Sequence, residues 1–153
     1  ALFLSFFIMG PVFEVLYRDA ISPFLDGNIG IERALTDGLA HLKEFMVVNT
    51  RSDTLNLFVD MSKSGPFPNE AAVPLNIVLP AFITSELKTA FEIGFLIFLP
   101  FLVIDMVIAS ILMSLGMMML SPMLISLPFK LLLFVLVDGW AMTIGSLSAT
   151  FMV

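Results

Sequence analysis

Between Asp105 and Lys130 the chain runs without a charged residue, and Gly116 and Pro122 interrupt that run. The stretch exceeds the roughly 20 residues that one membrane-spanning helix needs. Its two breakers predict a helical hairpin rather than a single span. The tip of the hairpin, residues 116–121, carries Met117, Met118 and Met119 in succession. Methionine is unbranched and polarizable, so such a tip can mould itself to irregular surfaces. The first arm is expected as a long helix from about residue 75 to 115, with kinks or short breaks near Pro80 and Pro100. The second arm is expected from about residue 122 to the end.

Charge divides the rest. Residues 1–13 are apolar and read as the end of a hydrophobic helix, whereas residues 14–70 hold nine acidic and five basic side chains. Residues 14–74 are therefore expected to form a water-facing helical insert, ahead of the hydrophobic hairpin at 75–153. Within the insert, Ile31, Ala34, Leu35, Leu39, Leu42, Phe45 and Met46 recur at helical spacing, opposite Arg33, Asp37, His41 and Glu44. That pattern predicts an amphipathic helix with an apolar stripe turned inward and His41 pairing locally with Asp37. Thr50 followed by Asp53 resembles a capping box opening a second helix that carries Leu55, Phe58 and Val59. The segment SGPFPNEAAVP at 64–74 reads as a loop. The fold class expected is all-α: hydrophobic helical hairpins with an amphipathic insert, in an oligomeric membrane-associated assembly.

Composition narrows the partners. The 153 residues are 59% hydrophobic and 13% charged, with a net charge of −6 and a mean hydropathy of +1.04. Soluble domains average about 45–50% apolar and 25% charged, so the chain belongs in or against a membrane, or inside an apolar assembly. The acidic balance lacks the phosphate-neutralising cations that nucleic acid demands. No cysteine and one histidine leave no basis for a disulfide framework or a metal site, and no cofactor is expected. The opening ALFLSFFIM reads as a hydrophobic helix already under way, without the charged flank of a signal peptide, and the chain is expected to be a C-terminal fragment of a longer protein.

Asp105 and Lys130 are the costliest residues, because an unpaired charge among apolar runs costs several kcal/mol. Counting from the bend, Asp105 lies about 15 Å along one arm and Lys130 about 13 Å along the other, so an antiparallel hairpin places them at one depth. A buried ion pair fixing register is the reading favoured, with a titrating or substrate-contacting charge as the alternative. Asp138, in Val137-Asp138-Gly139-Trp140, lies roughly 80° around the same helix from Lys130 and could share it or meet another subunit. An aspartyl-protease dyad of Asp105 and Asp138 is disfavoured, since hairpin counting offsets them by about 10 Å. Glu86 and Lys88 sit in a polar patch before the hairpin, suited to interfacial or intersubunit contacts, with Lys88 also one turn from Glu92. Trp140 suits an interfacial anchor or helix packing.

Three segments, TSELKTAF at 84–91, PFLVIDMVIASILMSLGMMM at 100–119 and LPFKLLLFVLVDGW at 127–140, resemble the signature segments of the FliP/SctR family of type III export-gate proteins. The likeness runs over essentially the whole chain, and the triple Met and Val-Asp-Gly-Trp resemble the flagellar branch. The resemblance implies a non-enzymatic core subunit of the flagellar export gate in the bacterial inner membrane and flagellar basal body. It implies five copies joined with FliQ and FliR, FlhB and FlhA nearby, and the insert on the periplasmic side. It makes Met117, Met118 and Met119 a gasket around a channel for unfolded flagellar proteins, and Asp105 and Lys130 the family's charged pair. Two other classes remain open: a proton-linked transporter subunit using Asp105 and Lys130, and a structural scaffold that nucleates the basal body.

Overall fold

The computed structural model describes residues 2–117 and 119–151, and every described element is helical. In order these are α1 (Leu2–Ile8), α2 (Gly10–Leu16), a π-helical turn (Tyr17–Ile21), α3 (Ser22–Leu25), α4 (Ile31–Val48), α5 (Ser52–Ser62), a 3-10 turn (Glu70–Ala72), α6 (Leu75–Ser114), α7 (Pro122–Leu136) and α8 (Gly139–Ser148). The chain divides into two compact units, Ala1–Lys88 with Thr150–Val153, and Thr89–Ala149.

In the first unit, helical conformation continues past residue 13 to Leu25, with Pro11 and Pro23 each in a first turn where a missing N–H costs nothing. The π turn carries Asp19, which accepts from Arg18 Nε at 2.7 Å and lies 3.4 Å from His41 Nε2 of α4. His41 therefore pairs between elements, not with Asp37 as local spacing suggested. Asp37 instead lies 3.8 Å from Arg33. Small residues explain the approach: Gly38 faces Leu16 and Ala20, where a Cβ would meet side-chain carbons at 3.4 and 3.7 Å. This packing uses one edge of the expected apolar stripe and leaves Ile31, Leu35 and Leu39 exposed, a correction to the inward-facing stripe.

Helix α4 ends with Asn49 Nδ2 donating to the Phe45 carbonyl and Thr50 Oγ1 to that of Met46, which satisfies two terminal carbonyls. Thr50 thus closes α4 rather than capping α5, and the expected capping box does not form. Arg51 is the residue before α5, without a side-chain cap. The Thr54 N–H donates to Asp53 Oδ1 at 2.8 Å, and the Arg51 N–H donates to the hydroxyl of Ser85 at 3.0 Å. Leu55 of α5 packs with Val73, Ile77, Val78 and Ala81 into the core, flanked by Met46, Val47, Phe58, Val59 and Phe67. Burying each such aliphatic side chain contributes about 1.5–3 kcal/mol.

In the second unit, α6 and α7 form the hairpin. Helix α6 is continuous through Pro80 and Pro100, so of the expected kinks or short breaks no break occurs at either proline. Each proline forfeits one backbone bond, whereas opening an apolar helix strands several more polar groups without water to receive them. The arm ends in a Schellman motif: Met117 N–H donates to the Leu112 carbonyl, Gly116 N–H to that of Met113, and Gly116 takes φ +72°. Leu112, which is buried, and Met117, which is 46% exposed, occupy the two positions where an apolar pair commonly accompanies this stop.

The second arm is not one helix to the end. It stops at Leu136, and α8 departs at 62°. Asp138 sits in the left-handed region, φ +50° and ψ +52°, which Asp tolerates better than most residues. Gly139 then lies against Phe134, where a Cβ would meet the ring at 2.4 Å, and Trp140 meets the same ring edge-on at 5.3 Å. The Val-Asp-Gly-Trp segment is thus a corner that periodicity alone could not reveal.

Candidate functional site

The hairpin of α6 and α7 is joined by one polar cluster. Lys130 Nζ donates to Asp105 Oδ2 at 2.6 Å, and Ser126 Oγ donates to Asp105 Oδ1. Both carboxylate oxygens are occupied from α7, by residues four apart on one helical face. Ser126 is fully buried, while the Lys130 and Asp105 side chains are 20% and 28% exposed. Four residues toward the base of the hairpin, Phe101 and Phe134 approach with ring centroids 6.4 Å apart. The arms are thereby held in register by one ionic and one aromatic contact. Ser126 was not singled out from sequence; its place one turn before Lys130, in a run otherwise nearly devoid of hydrogen-bonding side chains, is the signal that could have found it.

Register fixes what the tip presents. Met117 is 46% exposed and Met119 is wholly exposed. Met118 lies outside the described residues. Exposure of long thioether side chains at a rigidly stopped bend leaves them free to be compressed by whatever surrounds them. Asp138 is exposed and lies beyond the end of α7, at the corner into α8, so the single-helix angle relating it to Lys130 does not apply.

The expected polar patch falls in the first unit. Lys88 Nζ lies 3.3 Å from Asp53 Oδ2 of α5, an interhelical contact that sequence spacing did not indicate. The Thr54 N–H and then Lys88 hold the Asp53 carboxyl below the ordinary carboxylate range. Glu86 is half-buried within the field of Arg51. Buried Ser85 closes the start of α5, so TSELKTAF serves internal structure at Ser85 and Lys88.

Most apolar surface of the hairpin is uncovered. Helix α6 has 40 residues and is long and apolar enough to cross a membrane, and only 6% of its most apolar window is buried within the protein. Phe91, Met113, Leu124 and Val135 are each more than 65% exposed. Such a surface needs lipid or other chains against it. Among the described residues no group of three acidic or imidazole side chains converges as a metal site.

These features define a class: all-helical proteins with a membrane-capable helix folded into an apolar hairpin and locked by an internal charge pair. The chain matches the FliP family over residues 1–147 and belongs to it. It is 63% identical to flagellar biosynthetic protein FliP of Cereibacter sphaeroides, across 99% of this chain and 50% of that protein. It is 52% identical to that of Bacillus subtilis, covering 99% of this chain and 68% of the relative. For Buchnera aphidicola subsp. Acyrthosiphon pisum the identity is 54%, over 99% of this chain and 40% of the relative. The chain thus spans about half the length of several relatives it matches.

Proposed function

We propose that this chain is the part of a flagellar export-gate subunit that forms and seals the channel for unfolded flagellar proteins. The observation that carries the reading is the hairpin tip: an Asp105–Lys130 lock behind it, a Schellman stop at Gly116, and exposed Met117 and Met119 in front. In this reading five copies assemble with FliQ and FliR, near FlhB and FlhA, and the methionines of all copies meet on the axis. No bond is made or broken there, so the subunit is not an enzyme. An apolar constriction that dewets when empty resists ions, and flexible side chains repack around cargo of any size.

The length of α6 supports cover by subunits over cover by lipid. Forty residues measure about 60 Å along the helix, roughly twice the hydrocarbon thickness of a bilayer. Its first turns are already covered, with Ile77, Val78 and Ala81 buried in the core of the insert, and the uncovered remainder is suited to packing against other apolar helices. The occupied carboxylate of Asp105 favours a register lock over the proton-linked transporter alternative. A cysteine at Met119 is expected to crosslink to a stalled export substrate and to its own counterpart in neighbouring copies. Labelling by detergent or lipid probes alone, with neither crosslink, would refute the axial placement.

Residues 14–74 are assigned to the periplasmic side of the inner membrane, within the basal body. Exposed Arg33, replaced by Cys, is expected to react with a membrane-impermeant maleimide in cells whose outer membrane alone is permeabilised. Reaction only after the inner membrane is breached would reverse the orientation.

A further inference from the structure

The chain has no cysteine and eleven methionines, five of them within residues 113–123 around the hairpin tip. Thioether sulfur is therefore the only sulfur it offers to an oxidant. Among the described methionines Met119 is the most exposed, being wholly exposed, and Met117 is about half exposed. Met46, by contrast, is partly buried against the core of the first unit. Oxidation of sulfur side chains follows their exposure, so the tip is where an oxidant first meets the chain.

The fold tolerates the change at this place. The bend is held by main-chain bonds, from the Met117 N–H to the Leu112 carbonyl, from the Gly116 N–H to that of Met113 and from the Leu120 N–H to that of Met117, and none of them involves a sulfur. An oxygen added to the Met119 sulfur lies clear of the chain's own packing, whereas the same oxygen on Met46 would need room beside the core. The chemical character of the tip, however, inverts. Methionine is apolar and flexible, and its sulfoxide is polar, with an oxygen that accepts hydrogen bonds. Such an oxygen in an apolar neck is costly unless it is hydrogen-bonded, so it retains water where the thioether excluded it.

We propose that Met119, together with Met117, is a site of reversible oxidation by a hypohalous acid, and that the sulfoxide unseals the channel. The inference rests on the reading of the tip as the seal. With hypochlorous acid the sulfur in net terms gains the oxygen of the acid and loses the two electrons that chlorine takes up, and the products are sulfoxide, chloride and a proton. The return step consumes a dithiol, which becomes a disulfide as the oxygen leaves in water, and methionine sulfoxide reductases catalyse it. Each copy brings its own tip to the neck, so the number of sulfoxides present sets how far the neck rewets.

The test uses the complete export complex, purified with the full-length protein and placed in planar bilayers, with limiting hypochlorous acid as the oxidant and peptide mass spectrometry of the same sample. Sulfoxide is expected to form at Met119 and Met117 several-fold faster than at Met46. Ion conductance is expected to rise as it forms, and to fall again when methionine sulfoxide reductases and dithiothreitol are added. Met117→Gln with Met119→Gln puts polar, unbranched side chains at the tip and is expected to leak without oxidant. Met117→Leu, Met118→Leu and Met119→Leu together leave no sulfur there, and this variant is expected to show no rise on oxidation. Tip methionines oxidised no faster than Met46, an equal rise in the Leu variant, or a Gln variant that stays closed overturns the proposal. Tip sulfoxide without a rise in conductance overturns it too, and the triple Ala variant then tells the two readings apart: if that variant leaks, the seal stands and only its oxidation is without effect, and if it does not, the reading of the tip as the seal falls as well.

Discussion

Exchanging the charges of the hairpin lock, Asp105→Lys with Lys130→Asp, is expected to restore flagellar protein secretion that either single charge loss abolishes. Asp105→Ala leaves the Lys130 ammonium between apolar arms, and Lys130→Ala leaves the Asp105 carboxylate with only the Ser126 hydroxyl. Removing one partner of such a pair costs mostly the penalty of the charge left behind. In an isolated chain, with both side chains one-fifth to nearly one-third exposed, solvent screens that penalty. It is felt in full where neighbouring copies cover the pair. Loss should therefore be larger in assembled complex yield than in the stability of the free subunit. Ser126→Ala removes one neutral donor to the carboxylate and is expected to cost about 1–3 kcal/mol. Secretion and complex yield measured for the singles, the exchange and Ser126→Ala decide the matter. Single variants that assemble and secrete like the wild type would remove the lock from the mechanism.

How far the sequence carried this reading depends on the range of the interactions involved. The hairpin, its breakpoint at Gly116 and the matched depth of Asp105 and Lys130 follow from local spacing at a fixed rise per residue, and the structure joins the two side chains at 2.6 Å. The all-helical class follows from the same periodicity. What spacing could not supply were contacts set by distant neighbours. His41 lay within reach of Asp37 along its own helix, yet the π turn brings Asp19 to it. Thr50 had the right residue three positions on for a capping box, but the carbonyl of Met46 was nearer for its hydroxyl. The break after Leu136 runs through left-handed Asp138, and the ring of Phe134 leaves room for no side chain at residue 139 of the corner. The stripe of α4 was divided because Gly38 and Ala34 suit close helix packing, while Leu35 and Leu39 are left for another surface. Hydropathy marked α6 as apolar, but it could not show that Ile77, Val78 and Ala81 at its start belong to the core of the insert.

Replacing Met117, Met118 and Met119 together by Ala is expected to make cells leak small ions while the complex still assembles. The bend itself is made by backbone bonds from Gly116 and Met117 to carbonyls of α6, and alanine preserves those bonds. The exposed side chains of Met117 and Met119 contribute little to the fold of the chain, so truncating them forfeits little stability. It does shorten every side chain at the constriction, and a wider apolar neck rewets and conducts. Leak and stability are thus expected to separate. Leucine has nearly the volume of methionine but is branched and stiffer. The triple Leu variant is expected to remain closed when empty and to pass protein more slowly, because a stiff ring repacks poorly around a moving chain. If the methionines merely pack at a hairpin tip, the pattern inverts: the Ala variant lowers complex yield without leak, and the Leu variant is nearly neutral. Ion conductance in planar bilayers and growth on added salt, set beside purified complex yield and secretion rate for both variants, separate the two cases. An assembled triple-Ala complex that neither leaks nor alters secretion would end the gasket reading, because the seal would then lie in something other than these methionines.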